Sequence, residues 1–180
     1  MRFIETALPG AYIVELEERA DDRGFFARTF CVREFSELGL TTRVSQCNLS
    51  FNRRRGTLRG LHYQAEPAAE AKLIRCIAGA VHQVLVDMRP GSPTFLRHVA
   101  VELSAANRRS VYLPELFAAG MQTLEDDTEL MYQVSEFHTP EAERGLRFDD
   151  PAIGITWPLQ VSEISPKDRA WPYLEAAEAG

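Results

Sequence analysis

Lysine is almost absent from this chain of 180 residues. Of its 20 basic residues only Lys72 and Lys167 are lysines, and the rest are arginines. Arginine binds phosphate through two parallel hydrogen bonds, whereas a lysine ammonium neutralises a single oxygen. A net basic charge is also lacking: the formal net charge is −6, which disfavours nucleic acid as a partner.

Long apolar runs are absent as well. No stretch approaches the roughly 20 residues that span a bilayer, so a membrane protein is not expected. The N-terminus, MRFIETALPG, lacks a basic segment followed by an apolar one, which predicts a cytoplasmic location. The three cysteines, Cys31, Cys47 and Cys76, are an odd number without metal-ligand spacing, and we interpret them as small hydrophobic residues.

Short strand-like segments separated by Gly, Pro, Asn and Asp make up most of what is present. With 45% hydrophobic and 26% charged residues and no linker or repeat, the sequence predicts one domain over residues 1–180. Many short strands favour an all-β sandwich or barrel. The predicted strands are 12–16, 25–30, 43–50, 58–63, 72–77, 81–88, 98–103, 110–113, 121–124 and 129–134. Only 32–38 and 172–179 are predicted as helices.

Histidine is scarce, and one of the four stands out. A lone histidine on a strand is usually structural, but His62 lies within TLRGLHYQ at 57–64. In a regular strand Gly60, His62 and Gln64 share one face, and Arg59 points to the other. Gly60 removes bulk beside His62, as a cavity or a close backbone approach requires, although it is also typical of a simple bulge. The remaining histidines are His82, His98 and His138.

A metal site is not predicted. Metal-binding barrels often carry two histidines two residues apart on one strand, but here the second position is Gln64. No other pair of His, Asp, Glu or Cys residues has convincing ligand spacing, so we expect a metal-free barrel.

Arginines cluster just before His62, at 53–55 and at Arg59, close to Asn48. Arg23 adds another cation in a turn-like segment. A cavity mouth rimmed by arginines suits a pyrophosphate or another dianion. A solvated turn is an equally good interpretation of residues 53–55.

Nine segments, in order along nearly the whole chain, resemble the dTDP-4-dehydrorhamnose 3,5-epimerase family of the cupin superfamily. They are DRGFF at 22–26, QCNLS at 46–50, LRGLHYQ at 58–64, KLIR at 72–75, VDMR at 86–89, SPTF at 92–95, DDP at 149–151, ITWP at 155–158 and SPKD at 165–168. The resemblance implies a cupin-type jelly-roll β-barrel with short peripheral helices. It also implies a homodimer, no metal or other cofactor, and a nucleotide-diphosphate sugar as substrate.

The same resemblance assigns roles to individual residues. His62 is expected to be the base that removes a proton next to the ketone of a 4-keto-6-deoxy sugar, with Asp168 orienting it. Lys72 is expected to stabilise the enolate oxygen and Tyr132 to return a proton on the opposite face. The positions expected to bind substrate are Arg23, Phe26, Gln46, Asn48, Arg59 and Phe137. The chemistry is consistent, since inverting a carbon next to a carbonyl needs one base and one acid but no redox cofactor.

The sequence also departs from the family's common pattern. The departing positions are Arg28 for Glu, Cys47 for Asp, Leu49 for His, Gln83 for Asp, Leu116 for Gly, Ala119 for His and Phe137 for Tyr. Two interpretations stay open: neutral drift around an ordinary 3,5-epimerase, or an altered substrate or a single inverted carbon. Two other functions are also open, a non-catalytic sugar-nucleotide-binding barrel and a ketoisomerase of the same superfamily.

Overall fold

The computed structural model describes residues 1–174, and nearly all of its regular structure is β-strand. The strands are β1 (Arg2–Glu5), β2 (Tyr12–Glu15), β3 (Arg19–Asp21), β4 (Gly24–Phe26), β5 (Gln46–Asn52), β6 (Thr57–Gln64), β7 (Lys72–Ala78), β8 (Ala80–Asp87), β9 (His98–Ser104), β10 (Ser110–Leu113), β11 (Phe117–Thr123), β12 (Thr128–Val134), β13 (Glu143–Gly145) and β14 (Glu163–Ile164). Two short helices, α1 (Val32–Glu37) and α2 (Pro166–Arg169), and a 3₁₀ turn at Pro140–Ala142 complete the described elements.

Two antiparallel sheets face each other. The first has the strand order β1-β2-β10-β7-β12-β5, and the second has the order β13-β6-β11-β8-β9. In addition, β14 pairs with β6 in parallel, and β3 pairs with β4 in a separate hairpin. The predicted all-β jelly-roll fold with short peripheral helices is therefore confirmed.

The alternating side chains of β8 show why the sheets pack in this way. Val81 and Leu85 belong to the core between the two sheets, whereas Val84 and Val86 belong to a second cluster on the outer face. Because successive side chains of a strand point to opposite faces, one strand contributes to both clusters. Leu146 and Ile153, which follow β13, cover that outer face.

The outer face of the first sheet is covered over only part of its area. Phe35 of α1 packs there with Val14 and Tyr112. Further along this face, Leu49 and Phe51 of β5 are 61% and 46% exposed. The sheet therefore ends in an apolar surface next to its edge strand β5.

The helix predictions had different outcomes. The helix predicted at 32–38 is present as α1. Of the helix predicted at 172–179, residues 172–174 are not helical and the remainder lies outside the described residues. Helix α2 was not predicted; it begins after Ser165, whose side chain accepts a hydrogen bond from the Asp168 N–H. No helix within residues 1–174 has the length and apolar character needed to cross a bilayer.

Candidate active site

A cavity of about 800 Å³ opens between the two sheets, and we call it the barrel cavity. A smaller cavity of about 300 Å³, the side cavity, adjoins it. His62, Lys72 and Tyr132 line both cavities and therefore stand where the two meet. His62 comes from the second sheet, whereas Lys72 and Tyr132 come from the first. The site thus has functional groups on two facing walls.

A bulge in β6 determines which side chains reach the barrel cavity. Ala119 of β11 pairs with His62, but Met121 pairs with Arg59, so β6 holds one more residue than β11 over this interval. The extra residue shifts the alternation by one, and Arg59 and His62 both line the barrel cavity. The expectation that Arg59 points away from His62 was therefore wrong.

Gly60 permits this bulge. Its φ is +102°, and a β-carbon there would lie 2.6 Å from the Ala119 carbonyl oxygen. Both sequence-based interpretations of Gly60, a bulge and a close backbone approach, are confirmed. Gln64 lies on the His62 face, as expected, and both residues line the side cavity. The Gln64 side chain is buried and binds the backbone of Ala68, Phe137 and Thr139.

His62 and Asp168 are in close polar contact at the cavity wall. The His62 Nε2 lies 2.6 Å from Asp168 Oδ1, and the Gly60 N–H donates to Asp168 Oδ2 over 3.1 Å. The side chain of Asp168 is 5% exposed and that of His62 is 31% exposed. Burial alone raises the pKa of the Asp168 carboxyl, but the hydrogen bond and charge of His62 and the Gly60 N–H lower that pKa overall.

This contact assigns the proton positions on the imidazole. An ionised carboxylate only accepts hydrogen bonds, so we assign the proton of neutral His62 to Nε2. The Nδ1 lone pair is then the one available to a base. Asp168 lies in helix α2, and its backbone N–H donates to Oγ of the capping residue Ser165 over 3.0 Å. This bond fixes the backbone of the residue that carries the carboxylate.

Lys72 is paired within the cavity wall. Its Nζ lies 2.9 Å from Oε1 of Glu70, and the two side chains are 13% and 10% exposed. An ammonium has three donors, so this pairing leaves others for a bound molecule. Sequence reasoning missed Glu70, although an acidic residue two positions before one of only two lysines was a usable signal.

Tyr132 lies on the facing wall from His62. Burial raises the pKa of the Tyr132 phenol, while the nearby charge of Arg59 lowers it and that of Glu70 raises it. The net direction is upward, so the phenol carries its proton at neutral pH and is able to donate it.

Three expected substrate-binding residues border these cavities. Arg59 lines the barrel cavity and donates from Nε to Asn52 Oδ1 over 2.6 Å. Gln46 and Asn48 line the side cavity. Because Asn52 and Arg59 flank the turn between β5 and β6, their hydrogen bond fixes the guanidinium at the cavity wall.

Three other expected binding residues are not brought to these cavities. Arg23 is 90% exposed in the β3–β4 hairpin and pairs with Asp21 over 2.6 Å. Phe26 in the same hairpin is 68% exposed, and Phe137 is 59% exposed. Neither cavity is lined by any of the three within this chain.

The departures from the family pattern divide in two. Gln83 and Ala119 line the barrel cavity, and Ala119 lies directly opposite His62 in the strand pairing. Cys47 and Leu49 lie on the outer face of β5, and Arg28 pairs with Glu34, so these three do not shape the cavity. The segment that carries Cys47 and Leu49 nevertheless borders the cavities through Gln46, Asn48 and Ser50.

Other charged groups at the site were not predicted, among them Glu143, whose carboxylate pairs with Lys167 over 2.6 Å. Within the described part of the chain, no group of three or more His, Cys, Asp and Glu side chains is arranged to hold a metal ion. Of the arginines at 53–55, Arg55 binds the backbone carbonyl of Leu124, which supports the interpretation of this segment as a turn.

Comparison with known proteins gives a consistent result over nearly the whole chain. The family model for dTDP-4-dehydrorhamnose 3,5-epimerase matches residues 5–176. A dTDP-4-dehydrorhamnose 3,5-epimerase of Methanothermobacter thermautotrophicus is 44% identical over 96% of this chain and 94% of its own length. A dTDP-4-dehydrorhamnose 3-epimerase of Streptomyces niveus is 37% identical over 100% of this chain and 87% of its own.

The fold matches solved structures equally well. The 3,5-epimerase of Legionella pneumophila, solved in complex with dTDP-4-keto-L-rhamnose, superposes with a TM-score of 0.90 and is 39% identical. The match covers 99% of this chain and 96% of that one.

Proposed function

The chain belongs to the dTDP-4-dehydrorhamnose 3,5-epimerase family, and on that premise we propose that it inverts one or both carbons next to the ketone of a dTDP-linked 4-keto-6-deoxy sugar. One observation carries the proposal. The His62–Asp168 pair and the Tyr132 phenol stand on facing walls of a cavity of about 800 Å³. That volume is within the range of small-molecule sites, roughly 300–1,000 Å³.

The proposed reaction needs only groups that this site holds. Nδ1 of His62 takes the proton from the carbon next to the ketone, and the electrons of that C–H bond form an enolate. The charge collects on the ketone oxygen, where the Lys72 ammonium stabilises it. Tyr132 then donates its proton to the same carbon from the opposite side, which restores the ketone with inverted configuration.

Asp168 supports the base in two ways. It holds the imidazole in the tautomer that leaves Nδ1 free, and its charge stabilises the imidazolium that forms. A correctly placed base of this kind accelerates proton removal by about 10²–10⁴-fold. His62 and Tyr132 afterwards exchange protons with water, so no cofactor is consumed.

The diphosphate of the substrate is assigned to Arg59, with Gln46 and Asn48 at the adjoining side cavity. The solved complex of the Legionella relative contains dTDP-4-keto-L-rhamnose, which supports a thymidine nucleotide for this chain. Arg23, Phe26 and Phe137 stay in the proposal as substrate-binding residues, although in one chain they are exposed.

A homodimer accounts for the exposure of Arg23, Phe26 and Phe137 in one chain. The outer face of β5 presents Leu49 and Phe51, two large apolar side chains without cover, beside an unpaired strand edge. Exposed apolar surface next to a strand edge is typical of an interface. We therefore propose that two chains associate through this face and that the β3–β4 hairpin of one approaches the site of the other. Analytical ultracentrifugation of a Leu49→Arg variant should show a monomer where the unaltered chain shows a dimer.

Solvent deuterium tests the catalytic proposal. The chain incubated with a dTDP-linked 4-keto-6-deoxy sugar in heavy water should label the inverted carbons, as seen by NMR. His62→Ala should lose labelling, whereas the matched variant His98→Ala, altered in β9 away from both cavities, should retain it. Equal labelling by His62→Ala and the unaltered chain would remove His62 as the base.

The same experiment separates the alternatives. Label at C3 alone indicates a 3-epimerase, and label at C3 and C5 indicates a 3,5-epimerase. We expect the open space opposite His62 at Ala119 to affect the second inversion, so Ala119→His should change the C3-to-C5 labelling ratio. A regioisomeric ketone would identify a ketoisomerase, and binding of dTDP-sugar without label would identify a non-catalytic barrel.

The single-domain organisation over 1–180 and the cytoplasmic location stay predictions.

A further inference from the structure

Trp171 contacts the proposed base without lining either cavity. Its ring centroid lies 6.5 Å from that of His62, with an edge-to-face angle of 63°. It follows Asp168 by three residues, so one segment supplies both the carboxylate and the aromatic neighbour of the imidazole. Because Trp171 does not border the cavities, any effect that it has on the chemistry is indirect.

The indole of Trp171 packs against Gly145. Gly145 lies directly opposite His62 in the β6–β13 pairing. A β-carbon at position 145 would lie 2.0 Å from Cε2 and 2.3 Å from Nε1 of Trp171, a separation that no real side chain tolerates. Only glycine therefore allows the indole to lie against β13 next to His62.

The indole is held by packing alone. Trp171 Nε1 is buried and has no hydrogen-bond partner among the described residues. A buried donor left unpaired is unfavourable, because it loses its hydrogen bond to water and gains none. Any role of the ring must therefore depend on its shape and not on its N–H, so a phenyl ring, which has no donor, should be able to replace it.

The segment that carries Trp171 is anchored on both sides of it. Ser165 caps the helix before it, and after it the Leu174 N–H donates to Asp150 Oδ2 over 2.7 Å. Asp150 is 3% exposed. The indole therefore sits on a fixed segment, as a part that constrains another group must.

We propose that Trp171, seated on Gly145, is a positioning residue that holds the His62 imidazole against Asp168 in the orientation required of the base. This inference rests on the proposed function, in which His62 removes the proton. It predicts that the indole affects the rate of proton removal and leaves substrate binding unchanged.

Steady-state kinetics with four variants test the proposal. Trp171→Ala should lower kcat by about 10²-fold, the effect of a displacement of about 1 Å in a reacting group, and leave KM within about threefold of the unaltered value. Trp171→Phe should restore most of kcat. Gly145→Ala should lower kcat like Trp171→Ala, and the double variant should be no slower than Trp171→Ala alone, because the added methyl then occupies the vacated space.

Three results would overturn the proposal. One is a Trp171→Ala enzyme, folded by circular dichroism, with unchanged kcat. Another is a loss confined to KM, which would make Trp171 a binding residue. The third is full additivity of the two changes, which would show that Gly145 acts through its own strand.

Fluorescence tests the contact without any substrate. The chain has two tryptophans, and Trp157→Phe leaves Trp171 as the sole fluorescent reporter. This change is needed because Trp157 lies 6.1 Å from another histidine, His82, and would also respond to pH. Protonated imidazole quenches a neighbouring indole, so emission should fall as His62 is protonated. The pKa values of the nearby Asp168 and Glu143 carboxyls are both lowered, by the hydrogen bond and charge of His62 and of Lys167 respectively, so a variant at His62 itself is needed to assign the change in emission.

The added change His62→Asn should abolish the titration. If emission still titrates unchanged in that double variant, the contact is disproved and the proposal fails with it. If the titration depends on His62 while the unaltered chain labels no sugar in heavy water, the contact stands and the epimerase function fails instead.

Discussion

Two buried aspartates, Asp87 and Asp168, differ in the donors that surround them. Asp87, at the end of β8, is 0% exposed and accepts hydrogen bonds from the Arg89 guanidinium, Ser92 Oγ and Thr94 Oγ1, at 2.6–2.9 Å, as well as from the Arg89 N–H. These donors belong to one loop and do not titrate near neutral pH. Asp168 is 4% exposed but accepts from one backbone N–H and from His62, which borders the cavities.

The comparison shows that burial does not identify a functional carboxylate. Burial raises the pKa of Asp87, but the bonds from Arg89, Thr94 and Ser92 lower that pKa to about 2. Its charge is thus permanent and serves the loop. Asp168 instead pairs with His62, which gains and loses a proton in the proposed reaction. The charge of Asp168 therefore takes part in the chemistry. The variants below test whether one aspartate serves stability and the other activity.

The largest expected effect follows from Asp168→Asn. The amide keeps the size of the side chain but removes the charge that stabilises the imidazolium, and it permits the wrong tautomer of His62. We expect kcat to fall by about 10³–10⁴-fold, measured as deuterium incorporation. The control is Asp149→Asn, which alters a carboxylate 41% exposed and should leave kcat unchanged. A loss below tenfold for Asp168→Asn would contradict the assignment.

Asp87→Asn should have the opposite profile. Removing the charge leaves the Arg89 guanidinium, 32% exposed, without its carboxylate partner. Because Arg89 reaches solvent, this loss is smaller than that of a fully buried partner, and the Asp87 pKa of about 2 corresponds to about 2.5 kcal/mol. We expect that loss in the free energy of urea unfolding, with kcat per folded molecule unchanged. Asp149→Asn serves again as control, since an exposed pair contributes about 0–1 kcal/mol. The distinction between the aspartates fails if Asp87→Asn is as stable as this control.

How much of this was predictable from sequence depends on the range of each interaction. β8 and β12 have eight and seven residues, enough for a run rich in strand-forming residues such as Val, Thr and Tyr to be visible, and both were predicted. β13 and β14 have three and two residues, too few to show a period, and they form because β6 offers an edge to pair with.

The site divides in the same way. His62 attracted attention through its local sequence, but its partner Asp168 is 106 residues away and no spacing rule connects them. Its assignment came from resemblance to a family. The shared face of Arg59 and His62 was predicted wrongly because a one-residue bulge reverses the alternation, and only the pairing with β11 reveals it.

Lowering the pH should remove the stabilisation that the Asp87 carboxylate provides, because the carboxylate becomes protonated. The folded pKa of about 2 lies below the unfolded value near 4, so the stabilisation is complete above about pH 5 and declines as pH falls towards 2. The expected total is about 2.5 kcal/mol. The free energy of unfolding of the unaltered chain, minus that of Asp87→Asn, should shrink over this range. A difference that stays constant down to pH 2.5 would show that the charge of Asp87 contributes nothing.

The smallest effects come from two serines that each support one aspartate. Ser92→Ala removes one donor to Asp87, and Ser165→Ala removes the cap that fixes the Asp168 backbone. Each should lower the free energy of unfolding by about 1 kcal/mol. Only Ser165→Ala should also slow turnover, because it loosens the carboxylate that orients the base, and its KM should stay unchanged. Equal kcat values for the two serine variants would show that Asp168 is held well enough by Gly60 and His62 alone, and that the cap contributes only to stability.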